Sequence, residues 1–235
     1  MKKPFICVST YGEDADTLAG RVSRALRKGA DLVEARLDYL EEVDLEKLVK
    51  ALTPYASKTI ITIRPVEHGG LFKGTAMEKN RMLDHLSRIS PALIDLELDY
   101  CELQGLKPNP ATIVSWHDFA GTPPLEKLAD VAERCLGFGG YAKVVTLARS
   151  RSDILRILHL YSIYPKNRLI AFCMGEMGRI SRLLAMAAGS PIAYASLDGM
   201  TTAAGQMSLN EMMVFRERLV RGVSTIYEEA LLPDR

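Results

Sequence analysis

Residues 139–148 read GGYAKVVTLA, a β-branched stretch that follows two glycines and carries one lysine, Lys143. The Val-Val-Thr-Leu core predicts a strand that is apolar on both faces, as in a parallel sheet covered by helices. A buried ammonium is costly unless it is paired or gives up its proton. The stretch therefore predicts a parallel sheet, and an amine that either reaches the edge of the sheet or takes part in chemistry.

Seven further runs of the same kind recur along the chain at nearly regular intervals. With the first they are FICVST (5–10), DLVEARLD (31–38), KTIITIRP (58–65), ALIDLEL (92–98), ATIVSWHD (111–118), AKVVTLA (142–148), RLIAFCM (168–174) and PIAYASL (191–197). Segments of helical periodicity separate most of them. Eight strand–helix units in 235 residues predict an α/β fold, a single-domain (β/α)8 TIM barrel over residues 1–235.

A doubly wound open sheet is the alternative fold. Its first strand–helix turn should carry a glycine-rich phosphate loop. Residues 9–16 read STYGEDAD, with a single glycine, and so favour the barrel.

Two helix starts can be predicted from capping residues. Ser152 is the expected N-cap of the helix after the sixth run, and this helix carries Leu155 on its expected apolar face. Ser208 and Glu211 form the pattern of a capping box, which starts the last helix at Ser208. The final residues 231–235 (LLPDR) are expected to fray.

Composition narrows the classes of partner. Thirty Lys and Arg against 29 Asp and Glu leave a net charge of +1, and no basic run interleaved with aromatics predicts a nucleic-acid surface. The apolar segment in MKKPFICVST is too short for a secretory signal or a membrane span, so we expect a cytoplasmic protein without a membrane partner. The widely spaced cysteines, with no Cys-x-x-Cys, argue against a metal site, and Cys7 and Cys173 are expected in the core.

Polar residues are dense at the ends of the predicted strands, where a barrel enzyme has its active site. Glu34, Arg36 and Asp38 alternate along the second run and are expected on one face. Other strand ends or the loops after them carry Arg64, Ser115, His117, Lys143 and Arg182. Taken singly, each could be structural, as part of an ion-pair network or as a core histidine; together they favour a site.

These residue types suit one kind of chemistry. An amine kept uncharged in an apolar cavity near arginines attacks ketones and aldehydes and forms a Schiff base. A histidine within reach can then move a proton as general base and general acid. Arginines would hold a carboxylate of the substrate. The residues themselves therefore predict a Schiff-base lyase or aldolase that acts on a small anionic carbonyl compound.

Six motifs in order resemble those of the type I 3-dehydroquinate dehydratases, and the resemblance extends over nearly the whole chain. They are VEARLDYL, ITIRP with GGLFKG, SWHDFAGTP, KVVTLA, MGEMGRISRLL and TTAAGQMS. The resemblance implies a hydro-lyase that converts 3-dehydroquinate to 3-dehydroshikimate in the shikimate pathway, without a metal or other cofactor. Members of this family are often homodimers.

The resemblance also implies roles for single residues. Lys143 would form the imine, and His117 would be the general acid and base. The residues implied in substrate binding are Ser9, Glu34, Arg36, Arg64, Met174, Arg182, Tyr194, Thr202 and Gln206, with Arg182 and Gln206 on the carboxylate and adjoining hydroxyl.

Two positions depart from the family pattern. His68, preceded by Glu67, stands where some members carry a glutamate. Ala204 stands where a proline is usual, which predicts a more mobile loop that closes over the site with Gly199 and Gly205 as hinges.

Two other functions remain open at this point. The first is another Schiff-base barrel enzyme, an aldolase or transaldolase, which an assay of water loss against carbon–carbon cleavage would distinguish. The second is a non-catalytic quinate-binding regulator, which would be expected to lack the lysine or the histidine.

Overall fold

The computed structural model describes residues 3–197 and 199–230, and in this part of the chain one parallel sheet is wrapped by helices. The strands are β1 Phe5–Tyr11, β2 Leu32–Arg36, β3 Thr59–Thr62, β4 Leu93–Glu97, β5 Asn109–Asp118, β6 Gly139–Leu147, β7 Leu169–Met174, β8 Ile192–Ser196 and β9 Met207–Ser208. The helices are α1 Ala15–Arg27, α2 Leu45–Leu52, α3 Ala76–Ser87, α4 Leu98–Leu103, α5 Leu125–Phe138, α6 Arg151–Ile163, α7 Gly175–Ala188 and α8 Leu209–Ala230. The predicted alternation of strands and helices is confirmed.

The sheet curls so that β7, at one end of the pairing order, comes back beside β8 near the other end. Hydrogen-bonded neighbours run in the order β7-β6-β5-β4-β3-β2-β1-β8-β9, and every pair is parallel. Within the described residues the backbone pairing stops at β7, where the rings of Phe172 and Tyr194 lie 6.3 Å apart between β7 and β8. The predicted barrel fold is confirmed in this form, whereas its extent over residues 1–235 stays a prediction.

Strand bounds agree with the eight predicted runs except at a few ends. β2 stops at Arg36, and a 3₁₀ turn covers Leu37–Tyr39, so Asp38 does not share the strand face as predicted. Asp38 instead accepts two hydrogen bonds from the Arg36 guanidinium, at 2.8 and 2.7 Å, which hold the turn against the strand end. The short β9 was not predicted, because two residues give no periodic signal.

The prediction of Ser152 as the N-cap of α6 is wrong, because Ser150 occupies that position. Ser150 and Asp153 form a capping box, in which each side chain accepts a hydrogen bond from the other's backbone amide. Leu155 faces solvent and is 70% exposed, so its placement on the apolar face was also wrong. The capping box of Ser208 and Glu211 is confirmed. Residues 231–235 lie outside the described residues.

Two expectations drawn from composition can be compared with the fold. Cys7 and Cys173 have no exposed surface and belong to the hydrophobic core, as predicted. Among residues 3–197 and 199–230, no helix has the length and apolar character needed to cross a membrane.

The last helix is anchored at the end of the barrel where the strands begin. Arg216 of α8 donates a hydrogen bond to the carbonyl of Pro4 at 3.2 Å and pairs with Asp31. The same Asp31 oxygen accepts the backbone amide of Ile6 in β1 at 2.8 Å. α8 therefore holds the start of the first strand in place.

Helix α7 approaches β7 closely because it carries Gly178. A Cβ at this position would lie 2.8 Å from the carbonyl carbon and oxygen of Cys173 and 2.9 Å from its Cβ. These distances are shorter than real Cβ contacts, so only glycine allows this spacing. The first turns of α7 lie beside the strand ends, and α7 carries Arg182.

We expect Gly178→Ala to lower the free energy of unfolding by about 1–3 kcal/mol, although alanine favours helices, because the added methyl group overpacks the contact with β7. Gly20→Ala in α1 is the matched control, since a Cβ there meets nothing within 4 Å. The control should gain about 0.5–1 kcal/mol. Urea denaturation of both variants measures the effect, and equal stabilisation of both would refute the close-packing argument.

Candidate active site

A cavity opens at the carboxyl ends of the strands, with about 540 Å³ that protein atoms do not fill. Ten of the eleven residues assigned to the site from sequence line it: Glu34, Arg36, Arg64, His117, Lys143, Met174, Arg182, Tyr194, Thr202 and Gln206. Ser9 lies beneath the wall and bonds to two residues that line it, Glu34 and Thr202. The structure therefore brings the predicted residues together.

Lys143 projects from β6 into the interior as one member of an ion-pair network. Its Nζ lies 2.9 Å from Asp95 Oδ2 on β4 and 3.3 Å from Glu34 Oε1 on β2. The Tyr194 ring covers the ammonium, with its centroid 4.1 Å from Nζ. These surroundings differ from the apolar, arginine-lined cavity expected from sequence, because two inward carboxylates compensate the charge.

The two carboxylates of Glu34 and Asp95 remain ionised although they are buried. Burial alone would raise their pKa values, but the charges of Lys143 and Arg36 outweigh this for Glu34 and hold its pKa below the ordinary value. For Asp95, Arg64 and Lys143 outweigh burial in the same way and hold the pKa well below its usual range. Lys143 thus lies between two anions.

Sequence reasoning missed Asp95 and Glu97, which stand two residues apart on β4. Arg64 donates from Nη2 to Asp95 at 2.7 Å, and from Nη1 to Glu97 at 2.6 Å and to Ser115 at 2.9 Å. Burial lowers the pKa of Arg64, but these carboxylates outweigh it and raise the pKa above its ordinary value. The signal was present in IDLEL, where two acids alternate with apolar residues and so share the inward face.

His117 stands on β5, beside the strand that carries Lys143. Ser115 pairs in register with Lys143, so His117 lies two residues further towards the open end of the cavity. Its Nδ1 is shielded from solvent and has no hydrogen-bond partner, and its ring stacks on Phe119 with centroids 6.1 Å apart. Burial, followed by the charges of Arg64 and Lys143, lowers the pKa of His117 well below its ordinary value, so the imidazole is neutral.

Arg182 offers hydrogen-bond donors that nothing in the described chain accepts. Its Nε and Nη2 are buried without a partner, and its guanidinium lies 4.3 Å from the centroid of the Phe172 ring. Burial lowers its pKa to about 10, which still leaves the group charged at neutral pH. A buried, charged and unpaired arginine at a cavity wall is suited to bind an anion in bidentate fashion.

Tyr194 has a hydroxyl group that is buried and without a partner. Burial, with the nearby charge of Glu34, raises its pKa well above the ordinary value. The hydroxyl therefore stays protonated and can act as a neutral donor towards a ligand in the cavity.

The loop after β8 folds over the cavity and is tied to itself and to the barrel. Gln206 Oε1 accepts the amide of Thr202 at 2.8 Å, and Thr202 Oγ1 donates to Ser9 at 2.9 Å. The carbonyl of Ala204 accepts the amide of Gly175, the first residue of α7, at 3.3 Å. The two proposed hinge glycines, Gly199 and Gly205, have positive φ angles of 77° and 74°, a region that favours glycine.

The loop after β3 forms the opposite wall and carries His68. His68 Nε2 lies 2.9 Å from Asp99 Oδ2 at the start of α4, and His68 also lines the cavity. The loop is tied down where the amide of Leu71 donates to Asp38 at 3.1 Å. Among the residues that the structure describes, no group of three His, Cys, Asp or Glu side chains is placed to hold a metal ion.

Comparison with known proteins places this arrangement in a family. The model of the family "Type I 3-dehydroquinase" matches residues 6–216. A 3-dehydroquinate dehydratase of Methanopyrus kandleri is 36% identical over 220 residues, which covers 92% of this chain and 100% of the relative. One of Desulfotalea psychrophila is 35% identical, covering 88% of this chain and 94% of the relative.

Solved structures of 3-dehydroquinate dehydratases are similar in fold. The Geobacillus kaustophilus structure has a TM-score of 0.82 and 25% identity, covering 94% of this chain and 92% of the other. The Aquifex aeolicus structure has a TM-score of 0.74 and 29% identity, covering 91% and 98%. The chain therefore belongs to the type I 3-dehydroquinase family and is a hydro-lyase.

Proposed function

We propose that this enzyme converts 3-dehydroquinate into 3-dehydroshikimate and water through an imine on Lys143. The observation that carries the proposal is an amine inside the cavity, with a neutral histidine on the next strand and an unpaired arginine on the wall. The amine can react with a ketone, the histidine can take a proton from the neighbouring carbon, and the arginine can bind a carboxylate. One small substrate can carry all three.

The first step is attack of the Lys143 amine on the ketone carbon. The ammonium must first lose a proton, which ends on the departing carbonyl oxygen, and the contacting carboxylates of Glu34 and Asp95 stabilise the cation that returns. The carbonyl oxygen leaves as water, and the nitrogen forms a protonated imine. This cation is an electron sink that acidifies the neighbouring carbon.

The second step moves one proton by means of His117. The neutral imidazole takes a proton from the carbon next to the imine, and the electron pair moves into an enamine. The enamine then expels the hydroxyl group from the adjacent carbon, which leaves as water with the proton from His117. Because one base serves both transfers, the proton and the hydroxyl leave from the same face. Water finally hydrolyses the imine and frees Lys143.

The substrate carboxylate is held by Arg182 in this proposal. Gln206 and Thr202 on the loop after β8 contribute an amide and a hydroxyl, which must leave their mutual hydrogen bonds to bind the substrate. Arg36 pairs with Asp38 at the cavity wall and can also hold a hydroxyl group, whereas Arg64 is engaged by two carboxylates and fits an orienting role. Tyr194 and Met174 complete the wall.

Three wider expectations are part of the proposal: the enzyme acts in the shikimate pathway, in the cytoplasm and as a homodimer. The relatives named above are 3-dehydroquinate dehydratases, which supports the first. Analytical ultracentrifugation would measure the assembly state.

Lys143→Arg should retain the ion pairs with Glu34 and Asp95 but form no imine, so kcat should fall by roughly a thousandfold or more. Wild-type protein treated with 3-dehydroquinate and borohydride should gain a reduced adduct on Lys143 by intact mass and peptide mapping. Lys143→Met is the second variant, and it should also unfold more easily, because two buried carboxylates lose their partner. Normal turnover in Lys143→Arg would disprove the imine mechanism.

Arg182→Gln should raise KM by roughly 30-fold or more, since loss of a buried charged contact costs about 2 kcal/mol or more. Its melting temperature should not fall, because the variant removes a buried charge that has no carboxylate partner in the described chain. Arg182→Lys is the control that keeps the charge but loses the bidentate guanidinium. Its KM should lie between those of wild type and Arg182→Gln. An unchanged KM would show that the carboxylate binds elsewhere.

His117 should make the protein less stable as the pH falls through its ordinary pKa. Its pKa is lowered in the folded state, so below about pH 6.5 the unfolded chain binds the proton more readily and unfolding is favoured. Between pH 7 and 5, wild type should lose up to about 2 kcal/mol more unfolding free energy than His117→Gln. An equal pH dependence of both proteins in urea titrations would contradict the neutral imidazole.

A further inference from the structure

Lys79 is a buried lysine that the proposed mechanism does not use. It belongs to α3, a helix on the outside of the barrel, yet it is only 2% exposed and ranks among the largest fully buried side chains. A lysine on an outer helix normally keeps its ammonium in water. This one points inward, so its burial needs a compensating partner.

The partner is Glu97 at the end of β4. Lys79 Nζ contacts Glu97 Oε2, and it lies 4.4 Å from the centroid of the Tyr100 ring. The other oxygen of Glu97, Oε1, accepts a hydrogen bond from Arg64 Nη1 at 2.6 Å. Glu97 is therefore shared between a cation from the outer helix and a cation of the active site.

The contacts continue without interruption to the amine. Arg64 Nη2 donates to Asp95 Oδ1 at 2.7 Å, and the other oxygen of Asp95 accepts from Lys143 Nζ at 2.9 Å. The charges alternate in sign at each step of the series, which is Lys79, Glu97, Arg64, Asp95 and Lys143. None of the five residues is more than 5% exposed, so water screens the interactions only weakly.

We propose that Lys79 is a positioning residue, which acts through Glu97 and Arg64 on the amine that forms the imine. By neutralising Glu97, it leaves the Arg64 guanidinium shared between Glu97 and Asp95. Without Lys79, Arg64 is drawn towards Glu97, and Asp95 then holds the Lys143 ammonium more tightly. The ammonium releases its proton less readily, and attack on the ketone slows. The inference rests on the proposed function.

Several ionisable groups surround Lys79 besides these. They are Asp99, Tyr100 and Cys101 on α4, and Glu67, His68 and Lys73, which line the groove beside it. Lys79 contacts Glu97 and faces the Tyr100 ring, whereas His68 contacts Asp99. The contact that leads to the amine therefore runs through Glu97.

A purely structural role predicts something different. In that case Lys79 only attaches α3 to β4, and any decrease in the rate of imine formation would follow the decrease in stability. Leu86 is the matched control, because it is buried on α3, two turns from Lys79, and carries no charge. Leu86→Ala should destabilise the helix packing by about 2–5 kcal/mol without altering the charges.

The experiment compares wild type, Lys79→Met, Lys79→Arg, Leu86→Ala and the double variant Lys79→Met with Glu97→Gln. Each is mixed with 3-dehydroquinate and quenched with borohydride over time, so that intact mass gives the rate of imine formation as a function of pH. Steady-state kcat and KM and the melting temperature are measured alongside, well below the lowest melting temperature.

Lys79→Met should form the imine roughly tenfold more slowly or worse, with KM nearly unchanged and the pH profile of the rate displaced to higher pH. Lys79→Arg should restore most of the rate, and the double variant should be faster than Lys79→Met, because it removes both charges of the pair together. Leu86→Ala should keep the wild-type rate despite its lower melting temperature.

A wild-type rate in Lys79→Met, or an equal loss in Leu86→Ala, would overturn the role of Lys79 and leave the proposed function intact. Turnover by wild type without any trapped adduct would overturn the imine mechanism, and the positioning role with it.

Discussion

The interior of this barrel is held together by opposite charges that water does not reach, and the geometry of the cavity follows from keeping them paired. Four buried cations face four buried carboxylates: Arg36, Arg64, Lys79 and Lys143 against Glu34, Asp38, Asp95 and Glu97. Losing one partner of such a set leaves an uncompensated charge and is strongly destabilising. These paired charges therefore fix the strand ends in relation to one another.

Arg182 is not part of this set of paired charges. Its buried donors have no partner among the described residues, so an anion that enters meets a charge already desolvated. The other arginines of the cavity wall, Arg36 and Arg64, are held by carboxylates. In the proposed mechanism, a substrate carboxylate would be directed to Arg182, and the rest of the molecule would then lie against Lys143 and His117.

Much of the fold and of the site could be predicted from the sequence, because strands buried on both faces have a strong local signature. The run that contains Lys143 became β6, and the clustering of Arg36 and His117 followed from the barrel, since parallel strands end at the same edge. The cap of α6 was misplaced because serine is a common N-cap residue and the sequence offers both Ser150 and Ser152. Only Ser150 has an acid three positions later, Asp153, and it is the N-cap.

The electrostatic partners were harder to predict. The alternation in IDLEL indicates that Asp95 and Glu97 point inward, but it does not reveal which cations face them across the barrel. Lys79 occupies a helix position that reads as a solvent-facing charge, and its partner Glu97 is 18 residues further along the chain. Such contacts are set by how the helix packs on the sheet, which local pattern does not encode.

The pairing of the first strand with the eighth has a consequence for synthesis on the ribosome. β1 has two parallel neighbours: β2 follows almost at once, but β8 begins at Ile192. The contacts of α8 with Pro4 and Asp31 need Arg216, which is translated later than β8. One edge of β1 must therefore wait, unpaired, while most of the chain emerges. An unpaired edge invites association with other chains, so this protein is most vulnerable to aggregation while the barrel is still an open sheet.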